Sequence, residues 1–433
     1  MLDVAVRLLR LAVPIAAGRI GIVGMGIVDL VVVGHFAPDE LALLAMGLTV
    51  TGPVLLGGIG LMLGVQILTA RALGEGSSAA ARLVWRRGLV IGAIAGLATW
   101  IAVATLAVPL WRAVGVAGTL FAAAPIASVL ALSIPLHLAF VATTYYLEGL
   151  QRPVPGAVAM WVANGVNLAL NLLLVPEWGA LGSAWTTVGS RLFLLVALIG
   201  YAVLRVPNRG ERAALPTSGY GELLRIGVPA ALSGLVEAAA FAMMAMIAAR
   251  LDAASIATFN VATGGLLTLV SMIAAGFGAA GAVLVANATG RSDRNAARAA
   301  GWIAIGVNGL VFVAIGLICF FAATPIAALF TSNAAVIVTF AAVMWMNALL
   351  MTPDCGQMVV DRVVRAYGEN WFPTFARVLC FVFVAPALAY WLVEVRGSDV
   401  AGVFAALTIA SMLAFAALLA RWAVVSRNYT ART

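Results

Sequence analysis

"GIVGMGIVDLVVVGH" (residues 21–35) is apolar or glycine up to its closing histidine, except for one carboxylate, Asp29. An acid in the middle of a segment that otherwise belongs in oil raises the question of what solvent surrounds the chain. Hydrophobic residues make up 64% of the 433, charged residues 10%, and the mean hydropathy is +1.09. A water-soluble protein has too little core to hide that much apolar surface. The solvent is therefore a bilayer, where only helices and closed barrels can span. Barrel strands alternate apolar and polar residues. Here apolar runs continue for about 20 residues or more, so they read as transmembrane helices.

Twelve spans are expected, near 9–34, 42–70, 88–110, 119–147, 156–175, 183–205, 225–250, 256–287, 301–323, 334–361, 373–394 and 401–425. The first follows a short head with Asp3, Arg7 and Arg10. It is longer than a signal-peptide core, and more spans follow it, so it reads as a first helix rather than a cleaved leader. The chain has no Lys, so Arg alone reports orientation. The termini and the loops after spans 2, 4, 6, 8 and 10, with the adjoining helix ends, carry 20 Arg. The opposite loops carry three, Arg112, Arg250 and Arg396, while Arg19 and Arg191 fall inside spans. That bias puts both termini in the cytoplasm. It also explains the net charge of +8 without nucleic acid.

The two halves resemble each other. "LLRLAVP" (8–14) recurs as "LLRIGVP" (223–229), a shift of 215, and "ALGEGSSAAAR" (72–82) as "ATGRSDRNAAR" (288–298), a shift of 216. A unit of about six helices is duplicated. An even number of spans keeps both copies in one orientation, giving parallel repeats about the membrane normal. The expected organisation is an all-α polytopic protein. It has an N-lobe at 1–205, a cytoplasmic linker at 206–222, where the longest polar gap lies, and a C-lobe at 223–433.

An ionised group at the bilayer centre costs about 2.5–3.5 kcal/mol or more, so acids inside spans are functional candidates. These are Asp29, Glu237 and Asp354. A desolvated carboxylate prefers a proton or a bound cation. Either can be exchanged for a substrate, though an acid paired with a buried Arg is the structural alternative. Asp361, beside Arg362 at the membrane edge, reads as such a pair. In "NGVNLALN", Asn167 and Asn171 share a helix face. They suit a cation site, a proton relay or plain interhelical bonding. Arg19 lies ten residues before Asp29, off its face, so it either faces a cleft or snorkels. His137 is a relay candidate, with a packed, hydrogen-bonded histidine as the plainer reading. Pro14 and Pro229 hold equivalent places and can bend their helices. Cys319, Cys355 and Cys380 lack any paired spacing, so no disulfide or zinc site is expected.

"LAVPIAAGRIGIVGMGIVDLVVVG", "GVPAALSGLVEAAAF" and "PDCGQMVVDRVVRAYGE" resemble helices 1, 7 and 10 of the multidrug and toxic compound extrusion (MATE) family, in its NorM-like branch. "NLALN" and "GALGSAWTT" resemble its helices 5 and 6. The resemblance covers essentially the whole chain. It implies a V-shaped pair of six-helix lobes that exports cationic, amphipathic compounds in exchange for inward Na⁺ or H⁺, by alternating access and without a cofactor. Carried over by position, Asp29, Asn167, Asn171 and Thr187 form an N-lobe polar cluster. Glu237 and Asp354 form a C-lobe cation site able to take Na⁺. Two positions depart from the pattern: Leu350 stands where some members have Tyr, and Arg19 where a neutral polar residue is expected. The implied setting is a bacterial inner membrane, and the protein is expected to act as a monomer. A flippase for lipid-linked saccharides, from the same wider fold group, is the alternative; Arg19 and Arg191 favour it slightly. No GxxxxGK[ST], HExxH or GxSxG run supports nucleotide use or an embedded enzyme.

Overall fold

The computed structural model describes residues 2–113, 115–116, 118–206 and 219–428; all but the ends of the expected linker at 206–222 lie outside them. The described residues form helices and short connections, without strands. Among the described residues, eleven helical stretches are long and apolar enough to cross a bilayer. One of them, Val154–Arg205, has 52 residues. At 1.5 Å per residue it would run about 78 Å, far beyond one crossing. It breaks at Gly179 (φ 55°, ψ −139°), a conformation essentially confined to glycine. Divided there, the stretch gives the twelfth helix.

In chain order the helices are α1 (Leu2–Phe36), α2 (Pro38–Gly74), α3 (Ser78–Ala113), α4 (Leu120–Gly149), α5 (154–178), α6 (180–205), α7 (Tyr220–Ala249), α8 (Ala253–Gly290), α9 (Arg294–Phe321), α10 (Ala334–Ala366), α11 (Trp371–Val395) and α12 (Val400–Arg427). A short helix, Ala323–Phe330, precedes α10. Local chemistry sets several starts. Asp252, Asp293 and Asn333 each accept backbone N–H groups of the first turn of α8, α9 and α10. The bonds from Ser255 hold the Asp252 carboxyl below its usual range. The break at Gly179 has its own cap, since Glu40 Oε2 accepts the Ala180 N–H at 2.7 Å. The start of α6 is thus held by a carboxylate from the first turn of α2.

The chain forms two compact units. The N-unit is Ala17–Ala231; the C-unit is Leu232–Thr433 together with Met1–Ala16. The divisions fall inside α1 and α7, close to Pro14 and Pro229, rather than at the polar gap. The first sixteen residues therefore pack with the C-unit, and the start of α7 with the N-unit. Both crossings rest on a glycine. A Cβ at Gly276 of α8 would press on the Ala12 carbonyl oxygen of α1 at 2.7 Å, and one at Gly227 of α7 would collide with the Leu61 carbonyl oxygen of α2. The pairs 12/276 and 227/61 correspond through the 215-residue shift. Each unit has its own apolar core. In the N-unit, Val33, Leu44, Leu130 and Ala184 form one cluster, and Val103, Ala131 and Leu138 another. In the C-unit, Phe259, Phe312, Phe340 and Phe404 anchor the core. Leu204, Leu310 and Phe321 are 82%, 75% and 81% exposed. Such faces are at home against lipid.

Candidate functional site

Four helices of the N-unit each turn a stripe of residues toward one cavity of about 140 Å³. From α1 come Ile22, Met25, Gly26 and Asp29, and from α2 Leu48, Thr51, Gly52 and Leu55. Both follow the i, i+3, i+4, i+7 spacing of a single helical face. Leu130, Ile134 and His137 of α4 complete the wall with Thr187, Arg191 and Leu194 of α6, and Met160 of α5 joins them.

Asp29 is 6% exposed and accepts three hydrogen bonds. Its Oδ1 receives Asn171 Nδ2 at 2.7 Å and Asn167 Nδ2 at 3.1 Å, and its Oδ2 receives Thr187 Oγ1 at 3.1 Å. The break at Gly179 is what lets α5 and α6 serve the same carboxylate from two helices. All three donors are neutral, so they steady the carboxylate without cancelling its charge. The spacing argument placed Asn167 and Asn171 on one face, and the structure brings all four residues of the N-lobe cluster together. Asn164, from the same run, instead donates to the Gly21 carbonyl at 3.0 Å and pins α5 to α1.

The remaining charges sort differently from the expectations. Arg19 does not line the Asp29 cavity. It is 8% exposed and pairs with Glu148 of α4 at 3.2 Å, while Gln66 of α2 donates to the same carboxylate and Tyr145 lies under the guanidinium. Glu148, one residue beyond the expected end of span 4, supplies the counter-charge. His137 is buried, but neither ring nitrogen has a partner among the described residues, against the hydrogen-bonded expectation. Asp361 is paired with a buried Arg, as its reading expected, and the partner is Arg365 rather than adjacent Arg362, through two bonds of 2.9 and 3.0 Å. Residues four apart share a helix face and neighbours do not.

In the C-unit, Asp354 of α10 accepts from Gln357 at 2.9 Å and from Ser411 of α12 at 3.1 Å. Glu237 of α7 is engaged by Arg377 of α11, at 2.7 Å. Asp354 lies within Coulomb range of both. Arg377 was counted with the cytoplasmic arginines, yet it is 7% exposed inside α11, just before a π-helical stretch at Val378–Val384. Glu237 thus already has a cation beside it. No group of three or more His, Cys, Asp or Glu able to hold a metal occurs among the described residues. Glu148 and Arg377 were missed because each sits near an expected helix end. The available signal was charge balance, since a buried Arg such as Arg19 requires an acid at its depth.

The MatE family pattern matches residues 14–173 and again 229–391, with starts 215 residues apart, as in the repeat. A "Probable multidrug resistance protein NorM" from Caulobacter vibrioides is 34% identical over 429 residues, covering 96% of this chain and 91% of its own. A "Multidrug resistance protein NorM" from Photobacterium profundum is 24% identical, covering 89% and 85%. Among solved structures, a eukaryotic MATE transporter superposes with a TM-score of 0.89 at 18% identity over 98% of both chains. An outward-facing multidrug resistance MATE family transporter gives 0.89 at 19% identity, over 98% of this chain and 97% of its own. The duplicated match and the full-length relative lead to one conclusion: this chain is a multi-pass membrane protein belonging to the MatE family.

Proposed function

We propose that the chain is a secondary antiporter that exports cationic, amphipathic compounds from the cytoplasm while Na⁺ or H⁺ flows inward. The observation that carries this reading is Asp29, a carboxylate inside the membrane-spanning region, held by three neutral donors and facing a largely apolar cavity. Its charge must be met by a proton, a metal cation or an organic cation. Occupancy by one excludes another, and that competition is the basis of exchange. The relatives' names, as multidrug resistance proteins, support the same reading. In this scheme the two repeats alternate the cavity's access, and differential affinity in the two states drives the switch. The protein would act as a monomer in a bacterial inner membrane with both termini cytoplasmic. Glu237 and Asp354 form a second, C-lobe cation site in the scheme; Arg377 must release Glu237 before Na⁺ can enter it.

The saccharide-lipid flippase reading needs basic groups free to hold a diphosphate. Arg19, one of the two arginines that favoured it, is neutralised by Glu148. The test is ethidium efflux from cells lacking their own drug pumps, at matched expression, with and without sodium. Efflux is expected from wild type and is expected to fall to background for Asp29→Asn. Unchanged efflux by that variant would remove Asp29 from the coupling step. The sodium dependence, compared with that of Glu237→Gln and Asp354→Asn, separates Na⁺ from H⁺.

A further inference from the structure

The Asp29 cavity holds a second fixed charge. Arg191 of α6 lines it one helical turn beyond Thr187. Among the described residues its one hydrogen bond is to Ser133 Oγ, through Nη1 at 2.6 Å, and Ser133 donates its own proton to the Leu130 carbonyl. No ion pair or hydrogen bond joins Arg191 to Asp29, although the two lie within Coulomb range. Each charged group is therefore held from behind by neutral partners, Asp29 by Asn167, Asn171 and Thr187, and Arg191 by Ser133. His137 lines the same cavity, buried, with both ring nitrogens free of partners among the described residues. The rest of the lining is aliphatic side chains, methionine, glycine and threonine.

A monocation can occupy a site with one anion and one unpaired cation, but it meets only one of the two charges. Such a ligand pairs with Asp29 but is repelled by Arg191, and the guanidinium's open donors stay unsatisfied in an apolar surrounding. Leaving one charge of a desolvated set unpaired is the expensive arrangement. A ligand with a cation and an anion a few ångströms apart satisfies both groups, and its anionic end can also accept the single N–H of a neutral His137. The volume matches one substituted ring, since a cavity of about 150 Å³ takes benzene.

We propose that Arg191, aided by His137, is an anion anchor that makes this cavity selective for zwitterionic compounds over monocations of the same shape. The inference rests on the reading of the cavity as the substrate site. It names the part of the substrate that Asp29 does not recognise.

Two one-ring compounds that differ by one methyl group test it. 4-(Aminomethyl)benzoic acid is a zwitterion at neutral pH; its methyl ester is a monocation. Binding of each to the purified full-length protein is read by isothermal titration calorimetry. Wild type is expected to bind the acid more tightly than the ester. Arg191→Met is expected to lose about tenfold or more in affinity for the acid, the worth of a charge-assisted hydrogen bond, while keeping or improving its affinity for the ester. Arg191→Lys, which restores the charge, is expected to retain the wild-type preference. A wild type that prefers the ester overturns the proposal without any variant. So does an Arg191→Met that weakens both compounds by one factor. Efflux of ethidium by Asp29→Asn is scored separately. If that variant exports normally, the substrate-site reading fails, whereas the anchor fails only on the ratio of the two affinities.

Discussion

Glu148 shows what a single buried charge does in this chain. It receives Arg19 and Gln66 and is 2% exposed, so removing it strands a guanidinium that has no other acid bonded to it among the described residues. Breaking such a pair from one side costs about 3–5 kcal/mol, whereas replacing both partners by apolar groups is often neutral. Glu148→Leu is therefore expected to lower the thermal midpoint of the purified protein sharply. The double variant Arg19→Leu/Glu148→Leu is expected to recover most of the loss. If the double variant is as unstable as the single, the pair is not what holds α1 to α4. The Asp29 cluster was legible from sequence because its members are strongly polar residues spaced along apolar helices. Glu148 and Arg377 were not. An ionisable residue near a helix end looks solvated until the partner helix is placed beside it, and spacing along one helix says nothing of that partner.

At the level of the helix, the decisive feature is the break between α5 and α6. Its φ/ψ at Gly179 costs a residue with a Cβ about 1–3 kcal/mol. A Cβ there would also drive into the Glu40 carboxylate that caps Ala180. Gly179→Ala is expected to destabilise by at least that amount. Gly200→Ala, where a Cβ meets nothing within 4 Å, is expected to be neutral or mildly stabilising. Thermal melts of both in detergent check the contrast; equal shifts would show that the break relaxes without cost. Twelve spans were legible from sequence, but not this join. "PEWGALG" reads as an ordinary polar loop, and only the backbone shows two helices meeting at one residue.

For the molecule as a whole, the duplication was visible as repeated strings, and the two family matches start at the same offset. What the repeats do with their ends was not visible, because packing between distant segments leaves no periodic mark. The Gly276 and Gly227 crossings are reciprocal, so they should fail separately. Gly276→Leu is expected to raise hydrogen exchange in residues 8–16 and around 276 while sparing α2. Gly227→Leu is expected to do the reverse, exposing the α2–α7 contact. Deprotection of both regions by either variant would mean that the crossings act as one unit. The exchanged ends also set a timetable for synthesis. The N-unit needs residues up to 231, so the ribosome must finish the whole first repeat and the start of the second before that unit closes. Residues 2–16, made before the rest of α1, belong to a unit whose other residues begin at 232. At about 5–20 residues per second, this segment waits ten seconds or more for its neighbours. A newborn chain therefore carries an unmatched helical arm through most of its own translation, and that interval is when insertion factors and membrane proteases have their chance to act on it.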